Sequence, residues 1–140
     1  MRRTTITSFL LVSLLLLTGT ASAAMKKIVL QISDGSPAKQ TMVLNVANNL
    51  QKYYGVDNVK LEIVAFGPGL RLLFKENANK YRIQNLVANE VRFSACKNTI
   101  KGMTKKLGHP PELNKNAMPV SAGVVRIIEL QEKGYILIRP

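Results

Sequence analysis

The sequence predicts an α/β domain in which a mostly parallel sheet of about five strands carries helices on both faces. Short apolar, β-branched segments alternate along the chain with longer segments of helical spacing, the pattern of repeated strand–helix units. Glycine or proline separates most of these segments. Right-handed crossovers place the helices on both faces, and ligands of such sheets bind beyond the carboxyl ends of the strands.

The first strand and helix are predicted in the segment that follows Met25. Residues 27–32 form an apolar run typical of a strand buried on both faces. Ser36 is a suitable N-cap, Pro37 a suitable first helical residue, and Gly55 the terminator. The predicted buried face consists of Met42, Val43, Val46, Ala47 and Leu50, whereas Lys39, Gln40, Asn45, Asn48 and Gln51 lie largely elsewhere.

The second strand is predicted over residues 59–66. Lys60 and Glu62 alternate with apolar residues at its start, which predicts a position towards an edge of the sheet. Two helical stretches follow, a short one over residues 70–74 and a longer one over residues 79–89. The buried face of the longer one is predicted to contain Ile83, Leu86 and Val87.

A glycine turn, Gly67-Pro68-Gly69, follows the second strand. Glycines at this position let backbone N–H groups approach an anion or a thiolate closely. Neither the dinucleotide-binding pattern nor the P-loop pattern is present, so a plain tight turn is the alternative interpretation. Arg71 either points its guanidinium at this edge or is a solvated helix residue.

The third strand runs directly into a helix, and Cys96 lies at the junction. Residues 91–95 alternate with period two, and from Lys97 onward Ile100, Met103 and Leu107 follow helical spacing. A thiol at such a junction lies near unpaired helix N–H groups, whose partial positive charge lowers the thiol pKa. The alternative is that a lone cysteine is a small buried hydrophobe.

Several neighbours are candidates to shape a pocket around this thiol. Gly67, Gly69 and the amides of Lys97 and Asn98 are predicted ligand-binding groups, and the Lys97 side chain would support a thiolate. Asp34 is a further candidate because it follows the first strand, although such an aspartate more often satisfies its own turn. Lys101 and Lys105 share a helix face with Lys97 and are interpreted as a solvent face.

The last third of the chain predicts a loop, a strand, a helix and a final strand. Pro110 and Pro111 exclude helix in the loop, and residues 118–120 form a short fourth strand. A helix over residues 123–132 precedes a terminal strand over residues 135–138. The helix is predicted to bury Val124, Ile127, Ile128 and Leu130.

Metal chemistry is not expected. His109 is the sole histidine and Cys96 the sole cysteine, so no metal site or cofactor is predicted. His109 as a base for Cys96 is disfavoured, because it lies beyond a whole helix and beside two prolines.

Residues 1–23 have the pattern of a cleaved signal peptide. A positive start is followed by an apolar run that is too short for a comfortable membrane span, and Ala21-Ser22-Ala23 offers a cleavage site. Residues 24–140 are therefore predicted to form a single exported domain, periplasmic in a cell with two membranes and without a stable membrane anchor. In an oxidising compartment the odd cysteine is a free thiol, a mixed disulfide or an intermolecular one.

The chain is strongly basic. Its 20 basic and 8 acidic side chains give a net charge of +12, and removal of Arg2 and Arg3 leaves +10 (18 − 8). Such a charge indicates attraction to anions or simply a soluble, self-repelling surface. Nucleic acid is not an expected partner, because the chain is exported, has no Trp and lacks an RNA-binding signature.

Five motifs together resemble the DsrE/DsrF-like family, and they cover nearly all of residues 24–140. They are Leu30-Gln31-Ile32-Ser33-Asp34-Gly35, Asn45-Val46-Ala47-Asn48-Asn49-Leu50, Ala65-Phe66-Gly67-Pro68-Gly69-Leu70, residues 91–99 around Cys96, and the closing residues 134–140. The resemblance implies a three-layer α/β/α sandwich with flavodoxin-like layering, and assembly into homo-oligomers (dimers, trimers or hexamers). In the family's sulfur-relay members a cysteine after the third strand carries sulfur as a persulfide to a partner protein. That position is Cys96 here.

Three functions follow as hypotheses. The first is a sulfur-handling or thiol-redox protein in which Cys96 is the reactive group and a donor or acceptor protein is the partner. The second is a non-catalytic oligomeric module that binds a small anion at the carboxyl edge of the strands, with Cys96 merely lining the pocket. The third is an exported protein that associates with anionic surfaces through its charge.

Overall fold

The computed structural model describes residues 24–140, so the predicted signal peptide, residues 1–23, lies outside the described residues. Five strands form one sheet in the order β4-β3-β2-β1-β5, and every neighbouring pair is parallel. The strands are β1 (Lys26–Ile32), β2 (Val59–Ala65), β3 (Arg92–Cys96), β4 (Ala117–Val120) and β5 (Ile136–Ile138). The helices are α1 (Pro37–Tyr54), α2 (Lys80–Ala88), α3 (Lys97–Leu107) and α4 (Gly123–Glu132). Two 3₁₀ segments, Val56–Asn58 and Gly67–Leu73, flank β2.

The sheet separates two apolar cores, which confirms the predicted three-layer α/β/α sandwich. The larger core joins one sheet face to α1, α2 and the Gly67–Leu73 segment, with Phe93 and Ile63 fully buried. The smaller core lies on the opposite face, where Ile127 and Leu130 of α4 pack on Val29 and Val64. Alternation along each strand assigns successive side chains to the two cores.

Strand β2 lies inside the sheet, between β1 and β3, and its predicted position towards an edge is wrong. Glu62 is buried there, with 3% of its surface exposed. Arg126 of α4 donates to both of its carboxylate oxygens, from Nε and Nη2, at 2.7 Å each. Ser94 of β3 donates to Oε1 at 2.6 Å. A charged residue is tolerated in the middle of the sheet because its charge is paired and its oxygens are hydrogen-bonded.

The buried face of α1 differs from the prediction, because it also contains Leu44 and two glutamines and does not contain Met42. Met42 is 44% exposed, whereas Gln40 and Gln51 are buried. Both amides find partners: Gln51 Nε2 donates to the Asn89 carbonyl at 2.7 Å, and Asn77 Nδ2 donates to Gln40 Oε1 at 2.8 Å. Hydrogen bonding therefore offsets the cost of burying these polar groups.

Helix α4 buries a narrower stripe than predicted. Ile127 and Leu130 are buried as expected, but Val124 is 55% and Ile128 50% exposed. Helix α4 contacts β1, β2, β3 and β5, and the stripe that faces the sheet is the part that is covered. Over the same residues, no helix combines the length and the apolar character that crossing a membrane requires.

Candidate functional site

Cys96 lies where the sequence predicts it, at the junction of β3 and α3. It is the last residue of β3 and the N-cap of α3, with extended backbone angles. Strand alternation turns Phe93 and Ala95 to the larger core and assigns Ser94 and Cys96 to the face covered by α4. The side chain is buried, with 5% exposure.

The N-terminal ends of two helices meet at the sulfur. Burial by itself raises the pKa of the Cys96 thiol. The Thr99 hydroxyl and the amides of Thr99, Gly123 and Asn98 outweigh that effect, so the pKa lies below its ordinary value. The Cys96 side chain forms no capping hydrogen bond with α3. We therefore interpret the hydroxyl and the amides as groups that stabilise the negative charge of the thiolate.

Gly123 brings the start of α4 to this position. A Cβ at Gly123 would lie 2.8 Å from Cδ1 of Phe66, at the end of β2, so only glycine allows this approach. One helical turn later, the pair between Arg126 and Glu62 fixes α4 against β2. The same hydrogen bonds raise the pKa of Arg126, which keeps its charge. The ion pair therefore holds the helix end that faces Cys96.

Gly67 acts through Thr99. Its backbone has a φ of 53°, in the left-handed region that favours glycine, and its N–H donates to Thr99 Oγ1 at 2.8 Å. A hydroxyl that accepts this bond retains its own proton to donate. The predicted glycine turn thus supports the thiol indirectly, by orienting a hydroxyl towards it.

The other predicted binding residues are separated from this arrangement. Gly69 is buried, and a Cβ there would collide with the carbonyl of Ile32, so its role is close packing against β1. Asp34 is exposed and its Oδ1 accepts the Ser36 N–H at 2.7 Å, the local turn that was its alternative interpretation. Lys97 is exposed, and the groups that lower the thiol pKa are amides and a hydroxyl rather than its ammonium.

His109 lies at the opposite end of α3 from Cys96. It is exposed, and its Nδ1 is 3.0 Å from the Pro110 carbonyl oxygen. A helix of 11 residues is about 16 Å long, so the imidazole is remote from the sulfur. Among residues 24–140, no group of three or more His, Cys, Asp or Glu side chains is arranged to hold a metal ion.

Two groups at the site were not predicted from the sequence, the Thr99 hydroxyl and the Gly123 amide. Thr99 was detectable, because it is the third residue of a helix that begins after Cys96, where an N–H and a hydroxyl both face the N-cap. Gly123 begins the helix that follows the neighbouring strand β4, so its amide opens at the same sheet edge. Its approach to Cys96 depends on the pairing of β3 with β4, which is a tertiary contact.

Comparison with known proteins identifies the fold. Neither the models of protein families nor the curated proteins gave a match. The protein of unknown function MTH1491 from Methanobacterium thermoautotrophicum is similar in structure, with a TM-score of 0.74 and 26% identity over 82% of this chain and 99% of that one. The ychN protein from E. coli has a TM-score of 0.62 and 14% identity over 83% of this chain and 100% of that one. The chain therefore shares its three-layer fold with both solved structures.

Proposed function

We propose that this chain is a DsrE/DsrF-like, sulfur-handling or thiol-redox protein whose reactive atom is the sulfur of Cys96. The observation that carries the proposal is the position of Cys96 at the N-terminus of α3, near the amide of Gly123 at the start of α4, where these amides and the Thr99 hydroxyl lower the thiol pKa. A thiolate is the form of cysteine that attacks sulfur, so an arrangement that favours it suits sulfur chemistry.

The simplest step is transfer of one sulfur atom between thiols. The Cys96 thiolate attacks the terminal sulfur of a donor persulfide, R–S–SH. The S–S bond of the donor breaks, a new S–S bond forms on Cys96, and the electron pair of the broken bond leaves on the donor thiolate, R–S⁻. A second thiolate then attacks the terminal sulfur on Cys96, which returns Cys96 to its starting state without an external oxidant or reductant.

The burial of Cys96 supports this proposal for an exported protein. Cysteine thiolates and persulfides outside the reducing cytosol are exposed to oxidation. Because Cys96 is 5% exposed as a residue, its sulfur is reached only by a reagent that the local structure admits. We propose that the chain works after export, with the periplasm as its compartment.

The test is the intact mass of the protein after incubation with an organic persulfide and removal of excess reagent. The expected result is a gain of one sulfur atom that dithiothreitol removes, and no gain in Cys96→Ser. In parallel, iodoacetamide should label native Cys96 at pH values below about 8.5, the ordinary thiol pKa. Labelling that occurs only after unfolding, together with no sulfur uptake, would refute the proposal.

The same burial favours a second candidate, a non-catalytic module that binds a small anion. Here Cys96 would line the site without reacting. This candidate predicts that Cys96→Ser keeps full anion affinity and full function in the cell, whereas the first predicts loss of function in that variant.

We propose further that the chain self-associates through the outer face of α4. Val124, Val125 and Ile128 form one exposed patch, and Met118 and Leu137 are exposed on the same face of the sheet. Contiguous exposed apolar surface of this kind marks association sites. Val125→Asp combined with Ile128→Asp should shift the mass measured by light scattering to that of a monomer. Tyr53→Asp combined with Tyr81→Asp, at exposed aromatic residues of α1 and α2, should leave it unchanged.

A further inference from the structure

A groove lies between the 3₁₀ segment Gly67–Leu73 and helix α3, beside the thiol site. Its volume is about 400 Å³, within the range of pockets that hold small organic molecules. The lining comes from both elements and the residue after the first: Gly67, Pro68, Arg71 and Phe74 on one side, and Thr99, Gly102, Met103, Lys106 and Leu107 on the other. Thr99 and Gly67, which support the Cys96 thiolate, are hydrogen-bonded to each other in this lining.

The charges of this groove have a single sign. Arg71 and Lys106 are its charged lining residues, and both are exposed. Within residues 24–140, neither forms a salt bridge with a carboxylate. The other large side chains of the lining are the apolar Phe74, Met103 and Leu107. An occupant that suits this lining has an apolar body and at least one negative charge.

Gly102 gives an independent reason to connect the groove with a ligand. It lies in the interior of α3, where glycine is less favourable than alanine. Its φ is not positive, and a Cβ built on it meets no atom within 4 Å. Neither backbone conformation nor packing in the chain therefore requires glycine here. A side chain at this position would extend into the groove.

We propose that this groove binds a small organic anion, with its apolar body over Gly102, against Phe74 and Met103, and its negative group between Arg71 and Lys106. The proposal is independent of whether Cys96 reacts, because none of its contacts involves the sulfur. Since Thr99 lines the groove, a bound molecule would lie next to a hydroxyl that donates to the Cys96 thiolate.

The probe for this test is 8-anilinonaphthalene-1-sulfonate, an aromatic sulfonate whose fluorescence reports binding. N-phenyl-1-naphthylamine has the same aromatic body without the sulfonate and is the matched neutral probe. We expect one sulfonate bound per chain, with the neutral probe at least about fivefold weaker, because it loses two partly exposed charge contacts. Arg71→Gln and Lys106→Gln should each weaken sulfonate binding about two- to fivefold. Lys105→Gln, with the same charge change on the same helix, should leave the affinity unchanged.

Gly102 variants separate binding from folding. Gly102→Ala should raise the melting temperature by about 3 °C through helix propensity, and Gly102→Leu, which fills the groove, should abolish sulfonate binding while the chain stays folded by circular dichroism. Equal affinity for both probes, equal effects of Lys105→Gln and Lys106→Gln, or unchanged binding in Gly102→Leu would each overturn the proposal. Cys96→Ser should bind the sulfonate as tightly as the wild type, because no contact of the proposed anion involves the sulfur. The outcome for the groove is therefore distinct from the outcome for the thiol.

Discussion

Replacing Glu62 by glutamine tests whether one buried ion pair holds α4 in place. The change keeps the shape of the side chain and removes its charge. Glu62 is 3% exposed and the side chain of Arg126 17%, so the guanidinium loses a bidentate partner in a site that water barely reaches. Removing one partner of a buried ion pair lowers the free energy of unfolding by about 3–5 kcal/mol. Because Arg126 is partly exposed, we expect the lower end of this range, about 3 kcal/mol.

The assay is urea unfolding followed by far-ultraviolet circular dichroism. With an m-value of about 1.5 kcal/mol/M, the midpoint should fall by about 2 M. The matched control is Glu129→Gln, because Glu129 contacts the same arginine at 3.4 Å but is 48% exposed. An exposed pair contributes less than about 1 kcal/mol, so the control should shift the midpoint by well under 1 M.

The same pair of variants also tests the connection to the thiol. If Arg126 holds the Gly123 amide at Cys96, Glu62→Gln should raise the thiol pKa towards its ordinary value, read from the ultraviolet absorbance of the thiolate. Glu129→Gln should not. Equal unfolding midpoints for the two variants would refute the assigned role of the ion pair. A thiol pKa that is unchanged in a destabilised Glu62→Gln protein would refute the connection to Cys96.

Three further predictions concern the thiol and the glycine turn. Thr99→Val should raise the pKa of Cys96, since it removes one donor to a charged acceptor, and an unchanged absorbance titration would contradict this. Gly69→Ala should cost at least about 3 kcal/mol in urea unfolding, because its Cβ meets the Ile32 carbonyl. Gly35→Ala, whose nearest contact is the Pro68 side chain at 3.2 Å, should cost less than about 1 kcal/mol, and equal costs would contradict the assigned packing. The folded thiol has the lower pKa, so the stability from Cys96 ionisation is present above the unfolded pKa of about 8.5 and is lost as the pH falls through the folded pKa. The unfolding free energy of the wild type relative to Cys96→Ser should therefore rise as the pH approaches about 8.5 and then level off, and a flat difference would contradict the lowered pKa.

The strands, the helices and the thiol junction could be predicted because each depends on local pattern. Alternation along β3 and the change of period after Cys96 are properties of neighbouring residues, and the structure agrees with them. The position of β2 could not be predicted in this way. By local pattern, Glu62 indicates a strand at the edge of the sheet. It is tolerated in a central strand because Arg126, 64 positions away along the chain, pairs with it.

The candidate site divides in the same way. Cys96 and the glycine turn are recognisable from strand–helix junctions, whereas the role of Gly67 depends on a hydrogen bond to Thr99, 32 positions later. The predicted roles of Gly69 and Asp34 rest on the general location of ligands at the sheet edge. Neither residue contacts the thiol, because one packs on β1 and the other completes its own turn.

The two helix ends at Cys96 make activation and accessibility of the thiol oppose each other. A fluctuation that lifts the start of α4 away from Phe66 would uncover the sulfur, but it would also withdraw the Gly123 amide. A reagent too large to reach the sulfur without such an opening would therefore meet a thiol closer to its ordinary acidity than the closed one. A partner that reaches the sulfur with α4 still seated would meet the acidic form. The position of α4 can thus distinguish an intended partner from an unrelated electrophile, because the two would meet thiols of different acidity.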